Sequence, residues 1–110
     1  MHAVVFETLA DPARRRIVEV LRDGEKAVND IVEQMAIHQS GVSRHLRLLS
    51  EAGFVQVRPD GARRLYSLRR ERFEEIEAWL SSFKQTWNAR LDRFGAELER
   101  RKKARKEKLS

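Results

Sequence analysis

The sequence predicts a mostly α-helical domain with one small β-hairpin and a long C-terminal helix. Three patterns carry this prediction. Apolar residues recur at helical spacing within residues 42–49, as in an amphipathic helix with one buried stripe. Residues 54–57 and 65–68 are rich in strand-forming side chains, and the Pro-Asp-Gly sequence between them is typical of a turn. From Phe73 to Leu98, apolar residues recur at steps of three and four, which indicates a long helix.

The charge of the chain is unevenly distributed. Its 110 residues carry a formal net charge of +6. Residues 100–110 contain seven Lys or Arg and one Glu, and acids and bases balance in the rest of the chain. Within that balanced part, residues 39–70 hold seven arginines against Glu51 and Asp60. A basic region confined to one part of a neutral domain indicates a nucleic acid partner.

The composition excludes several classes of protein. The chain has no cysteine, so disulfides and thiolate metal sites are excluded. No apolar run approaches the roughly 20 residues that a membrane span needs, and residues 1–7 lack the basic start of a signal peptide. We therefore expect a cytoplasmic protein without a membrane partner. Three scattered histidines and no glycine-rich phosphate loop leave no catalytic constellation, so we expect no enzyme activity.

Three short helices are expected before residue 39. Residues 4–9 form an apolar segment of one or two turns. Asp11 and Pro12 are typical of an N-cap and a first helical residue, so a helix is expected over residues 12–22. A third helix is expected over residues 28–35. The second helix carries a basic triplet that either contacts phosphate or forms a salt-bridged surface: Arg14, Arg15 and Arg16.

Residues 39–52 are predicted to form a helix with two different faces, which Gly53 ends. Its apolar stripe is formed by Val42, Leu46 and Leu49. Between them lie side chains that donate to phosphates and base edges, namely Gln39, Ser40, Ser43, Arg44 and Arg47. Such a helix is shaped to lie in the major groove of DNA. Two alternatives stay open, since His45 either contacts DNA or packs half-buried, and Arg47 either binds phosphate or pairs with Glu51.

The hairpin follows this helix directly, which is the arrangement of a wing. Arg63 and Arg64 lie at its tip and on its second strand, and Arg58 on the first strand supports the same surface. Arginine is favoured in the minor groove by the negative potential there. Only one of two successive strand residues can point at the groove. The alternative is a charged edge hairpin that resists aggregation.

A long amphipathic helix is expected over residues 73–99, after a DNA-binding domain of residues 1–72 and before a basic, frayed tail of residues 100–110. The stretch from Phe73 to Leu98 would form a helix of roughly 39 Å, which this small domain cannot cover. A second copy is the simplest partner for the uncovered apolar stripe, although its aromatic residues could also line a ligand pocket. The expected dimer interface comprises Val5, Phe6, Phe73, Ile76, Leu80, Phe83, Trp87, Leu91 and Phe94.

Four blocks of sequence resemble the ArsR-type bacterial repressors, which are winged helix-turn-helix proteins: residues 9–17, 42–49, 51–55 and 61–68. The blocks occur in the family's order, and the resemblance covers residues 4 to about 95. It implies a homodimer that binds a partly palindromic operator in double-stranded DNA. It further implies that this dimer blocks transcription until a signal releases it.

The resemblance also implies where a metal would bind, and those positions lack metal ligands. One family site has thiolates in the third helix, where this chain has Ala27 and Asn29. The other family site uses Asp, His and Glu on the last helix, and this chain has no histidine after Glu71. Divalent transition metals prefer imidazole and thiolate ligands. We therefore expect a member of the metal-independent branch of the family, with no cofactor.

Two alternative functions stay open at this point. One is a protein-interaction module whose aromatic C-terminal helix binds another protein. The other is an RNA-binding winged helix driven by the basic tail. The cluster of Gln, Ser and Arg on one helix, together with the wing arginines, favours the repressor.

Overall fold

The computed structural model describes residues 3–109 and confirms the predicted fold class. Two compact units divide after Ile76. The helices are α1 (Ala3–Ala10), α2 (Pro12–Val20), α3 (Val28–Glu33), α4 (Gln39–Glu51) and α5 (Arg70–Leu109), with a 3-10 turn at Leu21–Asp23. The strands are β1 (Lys26–Ala27), β2 (Val55–Asp60) and β3 (Arg63–Leu68).

The start of α2 is fixed by the residues that predict it. Asp11 is the N-cap, and its Oδ1 accepts hydrogen bonds from the backbone N–H groups of Ala13 at 2.8 Å and Arg14 at 3.2 Å. Pro12 occupies the first helical position, where a missing N–H costs nothing. These bonds satisfy two of the donors that every helix leaves without an intrahelical partner.

Two arginines of the basic triplet close the end of α1. Arg14 Nε donates to the carbonyl oxygen of Thr8 at 2.7 Å, and Arg15 Nη1 donates to that of Leu9 at 2.8 Å. The third, Arg16, lies 3.5 Å from Glu19 in an exposed ion pair. The structure therefore favours the structural interpretation of this triplet over phosphate contact.

Replacing the N-cap with alanine is expected to destabilise the domain in a pH-dependent way. Burial raises the pKa of Asp11, but the backbone hydrogen bonds from Arg14 and Ala13 and the charges of His45 and Arg14 outweigh it, so the pKa is lowered. A carboxyl whose folded-state pKa is lowered stabilises the fold above its unfolded pKa and loses that contribution as pH falls through the folded value. Asp11→Ala should cost about 0.5–2 kcal/mol near neutral pH.

Urea unfolding at neutral pH and again well below the ordinary aspartate pKa of 3.8 measures this effect. The difference between wild type and variant should shrink at the lower pH. Asp92→Ala is the matched control, because Asp92 is exposed on α5 and has no side-chain partner among the described residues. An equal loss of stability at both pH values would contradict a stabilising role for the ionised carboxylate of Asp11.

The core lies in the unit before residue 77 and is built on the buried stripe of α4. Val42, Leu46 and Leu49 are fully buried, as predicted. Phe54 lies at the centre of the same cluster, and its ring meets that of Phe73 edge-to-face at 5.5 Å. The remaining buried apolar residues are Val5, Ile17, Val20, Leu21, Ala27, Ile31, Ala52 and Val55.

This core corrects one expected member of the dimer interface. Val5 has no exposed surface, so the expectation that it lies between two subunits is wrong. Phe73 and Ile76 are partly buried and pack against the same core. Their membership of the dimer interface stays a prediction.

The end of α4 is set by Gly53, which has a φ of +84°. The N–H of Gly53 donates to the carbonyl of Ser50 at 3.1 Å, and that of Phe54 donates to the carbonyl of Leu49 at 2.9 Å. This pair of bonds is a Schellman motif. It terminates the helix where the sequence predicts and directs the chain into β2.

The predicted hairpin is part of a three-stranded antiparallel sheet in the order β1-β3-β2. Lys26 pairs with Tyr66 and Ala27 with Leu65, and the two residues of β1 were not predicted as a strand. Asp60 pairs with Arg63, so the turn is the dipeptide Gly61-Ala62 rather than Pro-Asp-Gly. Gly61 has a φ of +61°, which the first central position of a type II′ turn requires. Pro59 is tolerated in β2 because that strand lies at the edge of the sheet.

The last helix is longer than predicted. α5 continues to Leu109, which corrects the expected frayed tail after residue 99. Arg100 and Arg101 pair with Glu97 at 2.7 and 3.3 Å, and Lys102 lies 3.8 Å from Glu99. Such i,i+3 and i,i+4 pairs, together with strong helix formers, favour a helix in a segment whose composition resembles a disordered tail. Within residues 3–109, no helix combines the length and apolarity that crossing a bilayer requires.

Candidate DNA interface

The polar residues of α4 form one exposed row. Gln39, Ser40, Ser43, Arg44 and Arg47 are all exposed. At about 100° per residue they fall within an arc of roughly 140°, whose centre lies about 120° around the helix from the centre of the buried stripe. The structure therefore brings five of the six DNA-contact candidates on this helix onto one surface. Side chains of these types can bond both phosphates and base edges.

His45 is the sixth candidate, and it does not belong to this row. It is half-buried, and its position around α4 turns it away from the exposed arc. Its Nδ1 lies 3.5 Å from Nη1 of Arg14 on α2. The structure thus favours the packing interpretation of His45 over the DNA-contact interpretation.

The two arginines of the row differ in their intramolecular contacts. Arg47 Nε lies 3.9 Å from Glu51 Oε1, and both side chains are about two-thirds exposed. Such an ion pair is weak, at roughly 0.3–0.5 kcal/mol. Arg44 has no hydrogen bond or ion pair within the part of the chain that the structure describes. Its guanidinium is available to an external acceptor without breaking an existing contact.

On the wing, Arg58 is held by a carboxylate. Its Nε donates to Glu25 Oε2 at 2.8 Å and its Nη2 to Glu25 Oε1 at 2.5 Å. This is the bidentate arginine–carboxylate geometry. The hydrogen bonds from Arg58 lower the pKa of Glu25, and those to Glu25 raise the pKa of Arg58. Arg58 therefore has a partner already, which weakens its candidacy as a DNA contact.

The neighbouring arginines at the wing tip are separated by the pleat of β3. Arg63 Nη2 donates to Asp30 Oδ2 at 2.9 Å. Arg63 and Arg58 lie on the same face of the hairpin, because their strand partners are Asp60 and Leu65 and cross-strand partners share a face. Arg64 lies on the opposite face and has no hydrogen bond or ion pair with any residue in the described range.

A polar groove of about 250 Å³ runs between the wing and the start of the exposed row on α4. The residues that line it are Ala27, Val28, Asn29, Gln39, Ala62, Arg63 and Arg64. Positive charge thus lies beside the N-terminal end of α4. This is the end of a recognition helix that contacts base edges in helix-turn-helix domains. The groove joins the two predicted parts of the interface into one surface.

Glu25 and Asp30 are the functional candidates that sequence analysis missed. Each lies 33 residues before its arginine, and a contact over that separation leaves no local periodicity to detect. Asp30 has a second role at the N-terminus of α3, where its Oδ2 accepts a hydrogen bond from the N–H of Ala27 at 3.4 Å.

The second unit presents an apolar stripe along α5. Trp79, Phe83 and Trp87 form an aromatic ladder, with ring centroids 5.0 and 6.2 Å apart in succession. Phe83 is 43% exposed and Trp87 56% exposed. The stripe as exposed in one chain comprises Trp79, Leu80, Phe83, Trp87, Leu91, Phe94 and Leu98. Exposed apolar surface of this extent is characteristic of an interaction site.

Among the described residues, no group of three or more His, Cys, Asp or Glu side chains could hold a metal ion.

Residues 11–57 match the family model described as "Bacterial regulatory protein, arsR family". The chain is also 30% identical to the transcriptional repressor SdpR of Bacillus subtilis, over 72% of this chain and 88% of that protein. The chain belongs to the arsR family. Like its relatives in that family, it is therefore a DNA-binding regulator and not an enzyme.

Two solved structures share the fold. A possible transcriptional regulator for arsenical resistance is 38% identical, with a TM-score of 0.67 over 74% of this chain and 85% of that one. Mb0332 from Mycobacterium bovis, described as a homodimeric winged helix-turn-helix DNA-binding domain, is 28% identical, with a TM-score of 0.62 over 76% of this chain and 77% of that one. The chain spans smaller shares of three other curated relatives that it matches, namely 59%, 50% and 60% of their lengths.

Proposed function

We propose that this arsR family protein is a sequence-specific transcriptional repressor that binds a partly palindromic operator as a homodimer. The observation that carries the proposal is the exposed row on α4 beside the arginines of the wing. This surface combines side chains able to read bases with cations able to bind phosphates. The repressor SdpR, which matches most of this chain, supports repression as the outcome of binding.

The contacts divide between the two elements of the interface. Gln39, Ser40 and Ser43 meet base edges from the N-terminal end of α4, and Gln can bond an adenine through two hydrogen bonds. Arg44 contacts a base edge or phosphate, and Arg47 contacts phosphate. Arg64 enters or flanks the minor groove, where the negative potential favours arginine.

The exposed stripe of α5 supports the homodimer. Covering it with a second copy would remove the aromatic ladder and the leucines from water, a gain of roughly 25 cal/mol per Å² of apolar surface. The homodimeric description of Mb0332 agrees with this assignment. Two recognition helices related by a twofold axis would then enter successive major grooves about 34 Å apart.

We infer further that control does not depend on a metal, and that the protein acts in the cytoplasm, where its DNA target lies. The support for the first point is chemical, since the chain has no cysteine and its histidines lie outside α3 and α5. Those positions lack the imidazole and thiolate ligands that transition metals prefer.

Fluorescence anisotropy with the duplex immediately upstream of the protein's own gene, and with a shuffled duplex, tests the proposed function at about 150 mM salt. A preference of about a thousandfold for the upstream duplex is expected of a specific regulator. Equal affinity for both duplexes would contradict autoregulation at this site. Absence of binding to either, together with association to another protein, would instead favour the protein-interaction module.

A further inference from the structure

The outer part of the wing has little to hold it in place. β1 pairs with β3 only at Leu65 and Tyr66, so the hairpin beyond these rows has two strands. All residues from 56 to 64 are exposed, and an isolated two-stranded hairpin is marginally stable in water. The direction of the wing tip therefore depends on what ties it to the domain.

Two ion pairs connect the wing to the rest of the domain, and both involve the same face of the hairpin. Glu25 precedes β1 and binds Arg58 through two hydrogen bonds of 2.8 and 2.5 Å. Asp30, in the first turn of α3, binds Arg63 at 2.9 Å. Because Arg58 and Arg63 share a face of the hairpin, the two ion pairs hold that face against the start of α3. Arg64 lies on the opposite face of β3 and binds neither carboxylate.

We propose that Glu25 and Asp30 are positioning residues for DNA binding, which hold the wing through Arg58 and Arg63 so that Arg64 is presented to the DNA. This inference rests on the proposed function. It reverses the usual expectation for acids near a DNA interface, which is that they repel phosphates. It also divides the three predicted wing contacts into two structural arginines and one that binds DNA.

The direction in which DNA affinity changes when one of these acids is replaced with its amide distinguishes a positioning role from repulsion of phosphates. Glu25→Gln removes one negative charge, so a purely electrostatic effect would strengthen DNA binding. Loss of a positioning contact would weaken binding instead. An exposed ion pair contributes little to holding the wing, so the expected loss is only about two- to fivefold in affinity. Asp30→Asn should act in the same direction.

The probe is a duplex recovered from a random-sequence pool by selection with the wild-type protein, and binding is measured by anisotropy. Glu33→Gln is the matched control, since Glu33 is an exposed acid at the end of α3 with no partner in the described part of the chain. It makes the same charge change and should leave affinity unchanged or slightly raise it. Tighter binding by Glu25→Gln would overturn the positioning role.

A charge swap distinguishes a positioning arginine from a contacting one. Arg58→Glu alone should bind DNA weakly, and combining it with Glu25→Arg should restore affinity to within about twofold, because the ion pair is restored with its polarity reversed. If Arg58 itself touched phosphate, the double variant would stay weak and the inference would fail. Arg64→Ala should lower affinity and reduce the salt slope by about one phosphate contact.

Amide hydrogen exchange of the protein without DNA is an independent test of the positioning role of Glu25. Exchange at residues 58–63 should be faster in Glu25→Gln than in wild type, while Glu33→Gln should match wild type. Asp30→Asn also removes a helix-capping bond, so Glu25→Gln is the decisive variant. Failure of the wild-type protein to select any duplex would overturn the proposed function, whereas selection followed by unchanged exchange and affinity in Glu25→Gln would overturn only the positioning role.

Discussion

Replacing Phe83 with aspartate is expected to convert the proposed homodimer into a monomer and to abolish its tight binding to the proposed operator. Phe83 lies in the middle of the aromatic ladder, between Trp79 and Trp87, and is 43% exposed in one chain. A carboxylate at the centre of an apolar interface would be desolvated without a partner, which is strongly unfavourable. Losing the second half-site contact should lower operator affinity by about 100-fold or more, since the two binding events would no longer be linked.

Gln85→Asp is the matched control for this substitution. Residue 85 is exposed on α5, and two residues of helix place it about 200° around from Phe83, on the opposite face. Light scattering gives the oligomeric state, and anisotropy gives the affinity. A Phe83→Asp protein that stays dimeric would place the interface elsewhere, and a monomer that binds the operator as tightly as wild type would show that dimerisation is not required for binding.

Because the core of the first unit contains none of the exposed stripe, the amides of the helices before residue 70 should keep their protection from hydrogen exchange in this variant. Val5, the corrected member of the predicted interface, makes the opposite case. It is fully buried, and substituting it would disturb folding rather than association. Distinguishing it from the exposed stripe requires the structure, since burial within one chain depends on tertiary packing.

Much of the DNA-binding unit could be predicted because its signals are local. The Asp11-Pro12 pair sets the start of α2, Gly53 ends α4, and the three buried residues of α4 form its stripe. Each of these features depends on residues within one or two turns of each other. The exposed row of α4 follows from the same periodicity, because a helix that buries one face must present the other.

The missed features depend on contacts between distant parts of the chain. β1 is two residues long, and its pairing with Leu65 and Tyr66 spans a separation over which local pattern carries no information. The ion pairs of Arg58 and Arg63 have the same origin. The helical end of α5 was missed for a different reason, since lysine, arginine and glutamate are common both in disordered tails and in helices with i,i+4 ion pairs.

Arg44→Ala is expected to lower operator affinity by about 1–3 kcal/mol and to relax sequence preference at one base position. Arg44 lies on the exposed row of α4 and has no ion pair with another residue in the range 3–109, so its truncation removes an external contact without disturbing the fold. Thermal unfolding should therefore match wild type. Anisotropy with the selected duplex and with single-base variants of it measures both affinity and preference.

Arg47→Ala separates base reading from phosphate binding on the same helix. Arg47 lies one turn further along and pairs loosely with Glu51 at 3.9 Å, so its loss should weaken all duplexes about equally and reduce the salt slope by about one contact. If Arg44→Ala behaved in the same way, with equal loss on operator and shuffled DNA, Arg44 would be a phosphate contact too. Sequence preference would then have to come from Gln39, Ser40 and Ser43, whose hydrogen bonds to base edges carry no charge and would leave the salt slope unchanged.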